Sequence, residues 1–468
     1  MQKDEISEEL RQTNKEEEQI NKKRNMMLSE SVEKLVCNMA VPTIISMLVT
    51  AFYNLVDTYF VGQLNSNAAT GAVGLVFSLM SIIQAVGYFF GHGSGNYISR
   101  AIGKKEYGKA AKMASTGFFS SLFVGCAFSI VGLIFRVPLS YLLGSTDIML
   151  ADTVAYLTYI LIGTPFMMAA FVLNNQLRLQ GNSIFSMLGL VSGAIGNIIL
   201  DPLLIFHFNM GVSGAALATI ISQFVSFIVL LIGCQKSSNV SIRWKNFTPA
   251  RAYYVEIFGG GLPSFGTQGL ASVANLLLNR IAGGYGDAAI AAFSVVTRIT
   301  NISAAVILGF GQGFQPVCGF NYGAGKFDRV KEAFWFSIKV STIFLLIIGV
   351  GVYVFAPEAV AFFRNDKTVV EIGAKALRYQ CMVLPLLGWV IVMNMFLQNI
   401  QKTIRASILA MARQGLIFLP VLYVLSAAMG LTGLELSQPV SDLLTFALSV
   451  PFGVSVLKEL KEKTVENI

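Results

Sequence analysis

Two aspartates stand inside long apolar stretches where a charge has no ready solvent. Asp57 follows Tyr53 by four residues and Asp201 follows Asn197 by four, so on a helix each acid shares a face with a polar side chain. A carboxylate at mid-membrane costs roughly 2.5 to 3.5 kcal/mol or more and persists only with partners or a function. Two carboxylates close together in a poorly hydrated cavity lose hydration and repel each other, and binding of a proton or sodium ion near neutral pH is the chemistry to expect of them. The competing reading makes each acid a helix-end cap facing interfacial water, since both lie near an expected terminus.

The elements that must hold these acids are transmembrane helices. The chain is 54% hydrophobic and 13% charged over 468 residues, against about 25% charged in soluble proteins. Apolar runs of about 20 residues, enough to cross a hydrocarbon core of about 30 Å, number twelve. In the first half they are Leu35 to Val61, Ala69 to Phe90, Met113 to Phe135, Thr153 to Leu173, Ile184 to Phe206 and Gly211 to Ile232. In the second they are Ile257 to Leu278, Ala288 to Gly311, Phe334 to Ala356, Leu377 to Leu397, Ser407 to Met429 and Val440 to Leu457. Most of the 34 Lys and Arg residues fall in the amino-terminal tail, every second loop and the carboxyl tail. That bias puts both termini in the cytoplasm, with the plasma membrane the expected location. Odd-numbered helices then run outward, and Asp57 and Asp201, late in helices 1 and 5, reach similar depth in the outer part of the membrane. A net charge of +8 is explained by these loops without invoking nucleic acid.

The two halves repeat. Pro42 pairs with Pro263, and Gly62 with Gly283, at an offset of 221; Gly91, Gly93 and Gly103 pair with Gly311, Gly313 and Gly323 at 220; Met210-Gly211 and Gly214 recur as Met429-Gly430 and Gly433 at 219. The expected fold is therefore an all-α integral membrane protein of about twelve helices in two six-helix lobes, residues 35–234 and 253–457. Residues 235–252 form a cytoplasmic linker and 458–468 a cytoplasmic tail. Lobes of equal topology are related by an axis along the membrane normal, with a substrate path between them. The repeat mates of the two acids are Leu278 and, nearly, Pro420, so the acidic site belongs to one lobe.

Residues 1–34 mix basic residues with Asp4, Glu5, Glu8, Glu9 and a Glu16-Glu17-Glu18 run. With no apolar core they are not a signal peptide; a solvated tail is the expectation, a regulatory or partner-binding helix the alternative. Five scattered cysteines and two histidines offer no metal or disulfide spacing. A phosphate-binding loop is missing too, because Gly103-Lys104 and Gly325-Lys326 have Ile98 and Phe320 where its first Gly belongs. No cofactor is expected, and active transport would need an ion gradient or a partner.

The stretch Tyr53-Asn54-Leu55-Val56-Asp57-Thr58-Tyr59-Phe60-Val61-Gly62, with Pro42, Asn174, Asn197 to Pro202 and Gly211-Val212-Ser213-Gly214-Ala215-Ala216, closely resembles the MATE family of multidrug and toxic compound extrusion transporters, and most nearly its MepA-like and DinF-like bacterial branches. The resemblance implies coupling to protons or sodium at Asp57, Asn197, Asp201 and Thr219, with Tyr53 and Asn174 as supporting polar groups and Pro42 as the point where helix 1 bends. Sodium, if used, would bind at Asp57, Asn197, Asp201 and Thr219. Family members of the NorM type use acids in the carboxyl lobe, where this chain offers Gln268, Asn275 and Asn394. These three and Arg298 are candidates to line the cleft, with helix packing the competing role.

The expected function is cation-coupled export of bulky, often cationic or aromatic drugs by a monomer alternating access across the bilayer. A lipid-linked precursor flippase or polysaccharide exporter of related architecture is the alternative. A major-facilitator transporter would carry a basic Asp-Arg signature that Gly103-Lys104-Lys105-Glu106-Tyr107 lacks, and an enzyme would need a nucleophile and base that are not evident.

Overall fold

A computed structural model describes residues 17–64, 66–236 and 240–466. A helix, α1, spans residues 17–29. The amino lobe follows as α2 (Val32–Gly62), α3 (Asn67–Gly103), α4 (Tyr107–Ile134), short α5 (Arg136–Leu142), α6 (Leu150–Leu179), α7 (Ser183–Pro202) and α8 (Gly211–Lys236). The carboxyl lobe holds α9 (Arg251–Gly283), α10 (Asp287–Gly323), α11 (Phe327–Val354), short α12 (Ala356–Phe363), α13 (Lys367–Asn399), α14 (Thr403–Met411) and α15 (Phe418–Glu466). One π-helical turn, Leu203–His207, follows α7 and another, Ala412–Leu416, joins α14 to α15.

Ten of these helices are long and apolar enough to cross a membrane, counting residues 403–465 as one. A straight helix of 63 residues would run about 95 Å, three bilayer cores. Gly430, at φ 60° and ψ −133°, breaks it into two crossings, and α9, with 33 residues, supplies the twelfth. The second crossing of α15 begins right after Gly430, earlier than the expected Val440.

The repeat survives in backbone detail. Left-handed residues recur at the repeat offset: Lys105 (φ 64°) with Gly325 (φ 73°), Gly181 (φ 77°) with Gln401 (φ 66°), Gly211 (φ 54°) with Gly430 (φ 60°). Lys105 and Gln401 hold a conformation that favours glycine, and in each case the mate in the other lobe is a glycine. The repeated glycines also have a packing reason: a Cβ on Gly313 would strike the Ala40 backbone, and one on Gly323 the Arg100 carbonyl. The lobes meet along α2 with α10 and α3 with α9, where only small residues let the backbones approach.

Polar contacts join the lobes from mid-depth to the end of the bundle that carries the termini. Thr43 Oγ1 donates to Gly309 O at 2.6 Å. Nearer that end, Arg100 donates to Asn399 O at 2.7 Å and pairs with Glu256 at 3.0 Å, and Arg178 donates to Gln312 O at 3.0 Å and Gln315 Oε1 at 2.6 Å.

The tail departs from expectation. Residues 1–16 lie outside the described residues, as do 237–239 of the linker and 467–468 of the carboxyl tail. Residues 17–29, expected to be solvated, form a helix docked across the end where the lobes meet. On the amino-lobe side Arg24 Nε donates to Gly103 O at 2.9 Å and Tyr107 to Asn21 Oδ1 at 3.1 Å. On the carboxyl-lobe side Asn321 donates to Met27 O at 3.2 Å, Lys326 to Leu28 O at 3.0 Å and Arg329 to Glu30 O at 2.6 Å. The physical reason is a small apolar stripe: Ile20, Met27 and Leu28 are all buried.

Candidate functional site

The helix pairs α2 with α7 and α7 with α8 pack side by side, which brings together residues far apart in sequence. Tyr53 and Asp57 stand on α2, Asn197 and Asp201 on α7, Thr219 on α8. The carboxyl groups of Asp57 and Asp201 stand within electrostatic reach of each other. Asn197 Nδ2 donates to Asp201 Oδ1 at 3.2 Å, and Thr219 Oγ1 donates to Ala215 O at 3.0 Å. Asp201 is fully buried, Asn197 and Thr219 nearly so.

Three buried acceptors here, Asp57 Oδ1, Asn197 Oδ1 and Asp201 Oδ2, have no hydrogen-bond donor. Buried oxygens left without donors are costly, and three from one cluster make a set that a proton or a hard, oxygen-seeking cation would complete. Oxygen donors alone suit sodium better than a transition metal. α7 ends at Pro202 directly after Asp201 and gives way to the π turn, a feature that often marks functional positions in helices.

Tyr156 of α6 is part of the cluster although nothing in its own stretch of sequence marks it. It is 2% exposed, with its hydroxyl within interaction range of Thr219 and its ring within electrostatic reach of Asp57, Asp201 and Tyr53. Tyr53, Asn197 and Thr219 also line a cavity in the amino lobe with Gln84, Tyr88 and Gln223.

Other predicted residues lie elsewhere. Asn174 does not join the acids: its Nδ2 donates to Ser186 O at 2.9 Å and Ser186 Oγ at 2.8 Å, fifteen residues before Asp201 and so about 22 Å away along α7. Asn394 donates to Ala406 O at 2.9 Å and accepts from Gln398 at 2.5 Å, both within the carboxyl lobe. Gln268 is half-buried on α9, Asn275 exposed on the same helix and Arg298 exposed on α10. Pro42 is buried within α2, which continues unbroken through it.

The model of the MatE family matches the chain twice, over residues 42–203 and 263–424. The chain belongs to the MatE family. The two matches begin at Pro42 and Pro263, the same offset of 221 at which those prolines repeat. Membership makes the chain a multi-pass membrane transporter and not an enzyme. The multidrug export protein MepA of Staphylococcus saprophyticus is 30% identical over 430 residues, covering 92% of this chain and 95% of that protein. MepA of Staphylococcus aureus strain MRSA252 is 30% identical over 429 residues, covering 92% and 94%. Among solved structures, a MATE protein in complex with MaL6 superposes with a TM-score of 0.88 at 26% identity, covering 93% of this chain and 99% of that one. An outward-facing multidrug resistance MATE transporter of the MOP superfamily superposes with a TM-score of 0.86 at 26% identity, covering 93% and 98%.

Proposed function

We propose that this MatE transporter is a proton- or sodium-coupled antiporter that exports bulky, often cationic drugs, with the coupling ion bound at Asp57 and Asp201 in the amino lobe. The observation that carries the reading is the pairing of a half-buried Asp57 with a fully buried Asp201, within electrostatic reach of each other, with three buried acceptors in the cluster, one on each acid and one on Asn197, that lack donors. Two neighbouring carboxylates in a low-dielectric site disfavour being charged together, and a bound proton or cation relieves their repulsion. Asn197 orients Asp201, and Thr219 and the Tyr156 hydroxyl close the cluster from α8 and α6. The multidrug export function of the MepA relatives supports drugs as the cargo.

In this mechanism the protein sits in a bacterial plasma membrane with both termini in the cytoplasm, and the lobes alternate around a central cleft. Ion binding at the amino-lobe site favours the conformation that releases drug, so drug and ion compete, each acting only through its unequal affinity for the two states. The lobe contacts at the terminal end then form the cytoplasmic gate.

The test is drug efflux in everted vesicles or proteoliposomes with proton and sodium gradients imposed one at a time. Efflux should follow one of them, and added drug should dissipate that gradient. Efflux that persists unchanged with both gradients collapsed would exclude antiport. No difference in drug accumulation between cells with and without the protein would favour the flipping of lipid-linked precursors instead.

A further inference from the structure

The carboxyl lobe buries a carboxylate as well, and the chain supplies its counter-ion. Asp442 on α15 is fully buried. It accepts from Arg413 Nε at 3.0 Å, Gln380 Nε2 at 2.7 Å and Gln438 Nε2 at 3.0 Å. Arg413 belongs to the π turn Ala412–Leu416, and its side chain is 22% exposed. Unlike Asp57 and Asp201, Asp442 has no buried oxygen without a donor among the described residues.

The repeat shows what this cluster replaces. The turn pair Gly181 and Gln401 fixes the offset at 220 entering α7 and α14, and Gly211 with Gly430 fixes it at 219 beyond the π turns. Arg413 therefore corresponds to Gly193, Gln438 to Thr219 and Asp442 to Gln223. All three amino-lobe counterparts line the cavity beside the Asp57 and Asp201 cluster. Where the amino lobe has the side-chain-free Gly193, the carboxyl lobe carries a guanidinium, and where the cavity presents an amide the carboxyl lobe presents its acid.

We propose that the carboxyl lobe contains a binding site for a small planar monovalent cation, occupied by the chain's own Arg413. The tethered guanidinium neutralises Asp442 and satisfies it, so Asp442 exchanges neither sodium nor cationic drug. That confines coupling to the amino lobe, a consequence resting on the function proposed above; the site itself does not depend on it. Removing Arg413 leaves an uncompensated buried carboxylate, and a free cation of matching shape should take the vacated place.

The experiment measures melting temperatures of the purified full-length protein against millimolar methylguanidinium chloride, and needs no transport. Arg413→Gly, which installs the amino-lobe residue, should melt below wild type and recover along a saturable methylguanidinium curve. Arg413→Ala vacates the same place without the backbone cost of glycine in a helical turn; it should show the same saturable recovery if the glycine variant does not fold. Wild type and the Arg413→Gly, Asp442→Asn double variant should not respond. The proposal is overturned if neither single variant responds more than wild type, or if the double variant recovers as fully as the single ones. Because only binding is read, failure here leaves the amino-lobe coupling reading standing, and failure of coupling leaves this site standing.

Discussion

Asn174 and Asn394, 220 residues apart, make one hydrogen bond twice: each donates Nδ2 at 2.9 Å to the backbone carbonyl twelve residues on, Ser186 O in one lobe and Ala406 O in the other. Each bond ties the end of one helix to the start of the next across the turn at Gly181 or Gln401. A bond kept in both lobes, only one of which holds the paired aspartates, serves the scaffold. Asn174→Ala and Asn394→Ala should each cost about 0.5 to 1.5 kcal/mol, the net worth of one hydrogen bond to a carbonyl that keeps its helical partner, and lower the melting temperature without changing the ion dependence of efflux. A wild-type melting temperature with altered ion dependence would return Asn174 to the coupling site.

Arg178 bonds across the lobes at the terminal end with no acid partner among the described residues. It is 1% exposed, with Nη1 on Gln312 O and Gln315 Oε1 of the opposite lobe and Nη2 on Asn175 Oδ1 at 2.6 Å. A charged donor contributes about 1.5 to 3 kcal/mol per bond. Arg178→Gln should therefore raise the open population tenfold or more. Cys318, fully buried beneath this interface, is the reporter: its maleimide labelling should accelerate by that factor in a background where exposed Cys37 and half-buried Cys126 are serine. An unchanged rate would mean that Arg178 does not control opening.

Docking of α1 should depend on pH through Lys23, whose ammonium is pushed down from 10.5 to about 8 by burial. A lysine with a depressed folded value costs stability whenever it must be charged in the docked state. The docked helix should thus gain stability as pH rises from about 8 to about 10.5 and be flat on either side. The difference in melting temperature between the full chain and one lacking residues 1–29 measures this, and Lys23→Met should abolish the slope. A slope retained in that variant would assign it to another group.

What the sequence reveals divides along physical lines. A charge in an apolar run is expensive wherever it occurs, so Asp57 and Asp201 stand out by residue type and position alone, and counting spans brings them to one depth. Repeated glycines are legible for a similar reason, since backbone approach leaves few alternatives at Gly93, Gly103, Gly313 and Gly323. Tyr156 is not legible, because a tyrosine in an apolar span gains its role only from Thr219 on another helix. The ion pair of Arg413 with Asp442 spans twenty-nine positions and the break at Gly430, beyond any local pattern. In residues 17–29 a dense charge pattern hides the stripe of Ile20, Met27 and Leu28, which becomes visible only once the chain is read at helical spacing.

Coupling as proposed rests on Asp57 and Asp201 carrying the ion together. The most direct measurement is gradient-driven drug efflux by the Asp57→Asn, Asp201→Asn double variant in proteoliposomes, with equilibrium drug binding measured on the same preparation. The amides keep the shape of both side chains and remove their charge. Binding should persist but lose its dependence on pH or sodium, and efflux should no longer respond to either gradient. Efflux near wild type, with ion-dependent binding intact, would contradict this assignment and move the coupling site out of the amino lobe.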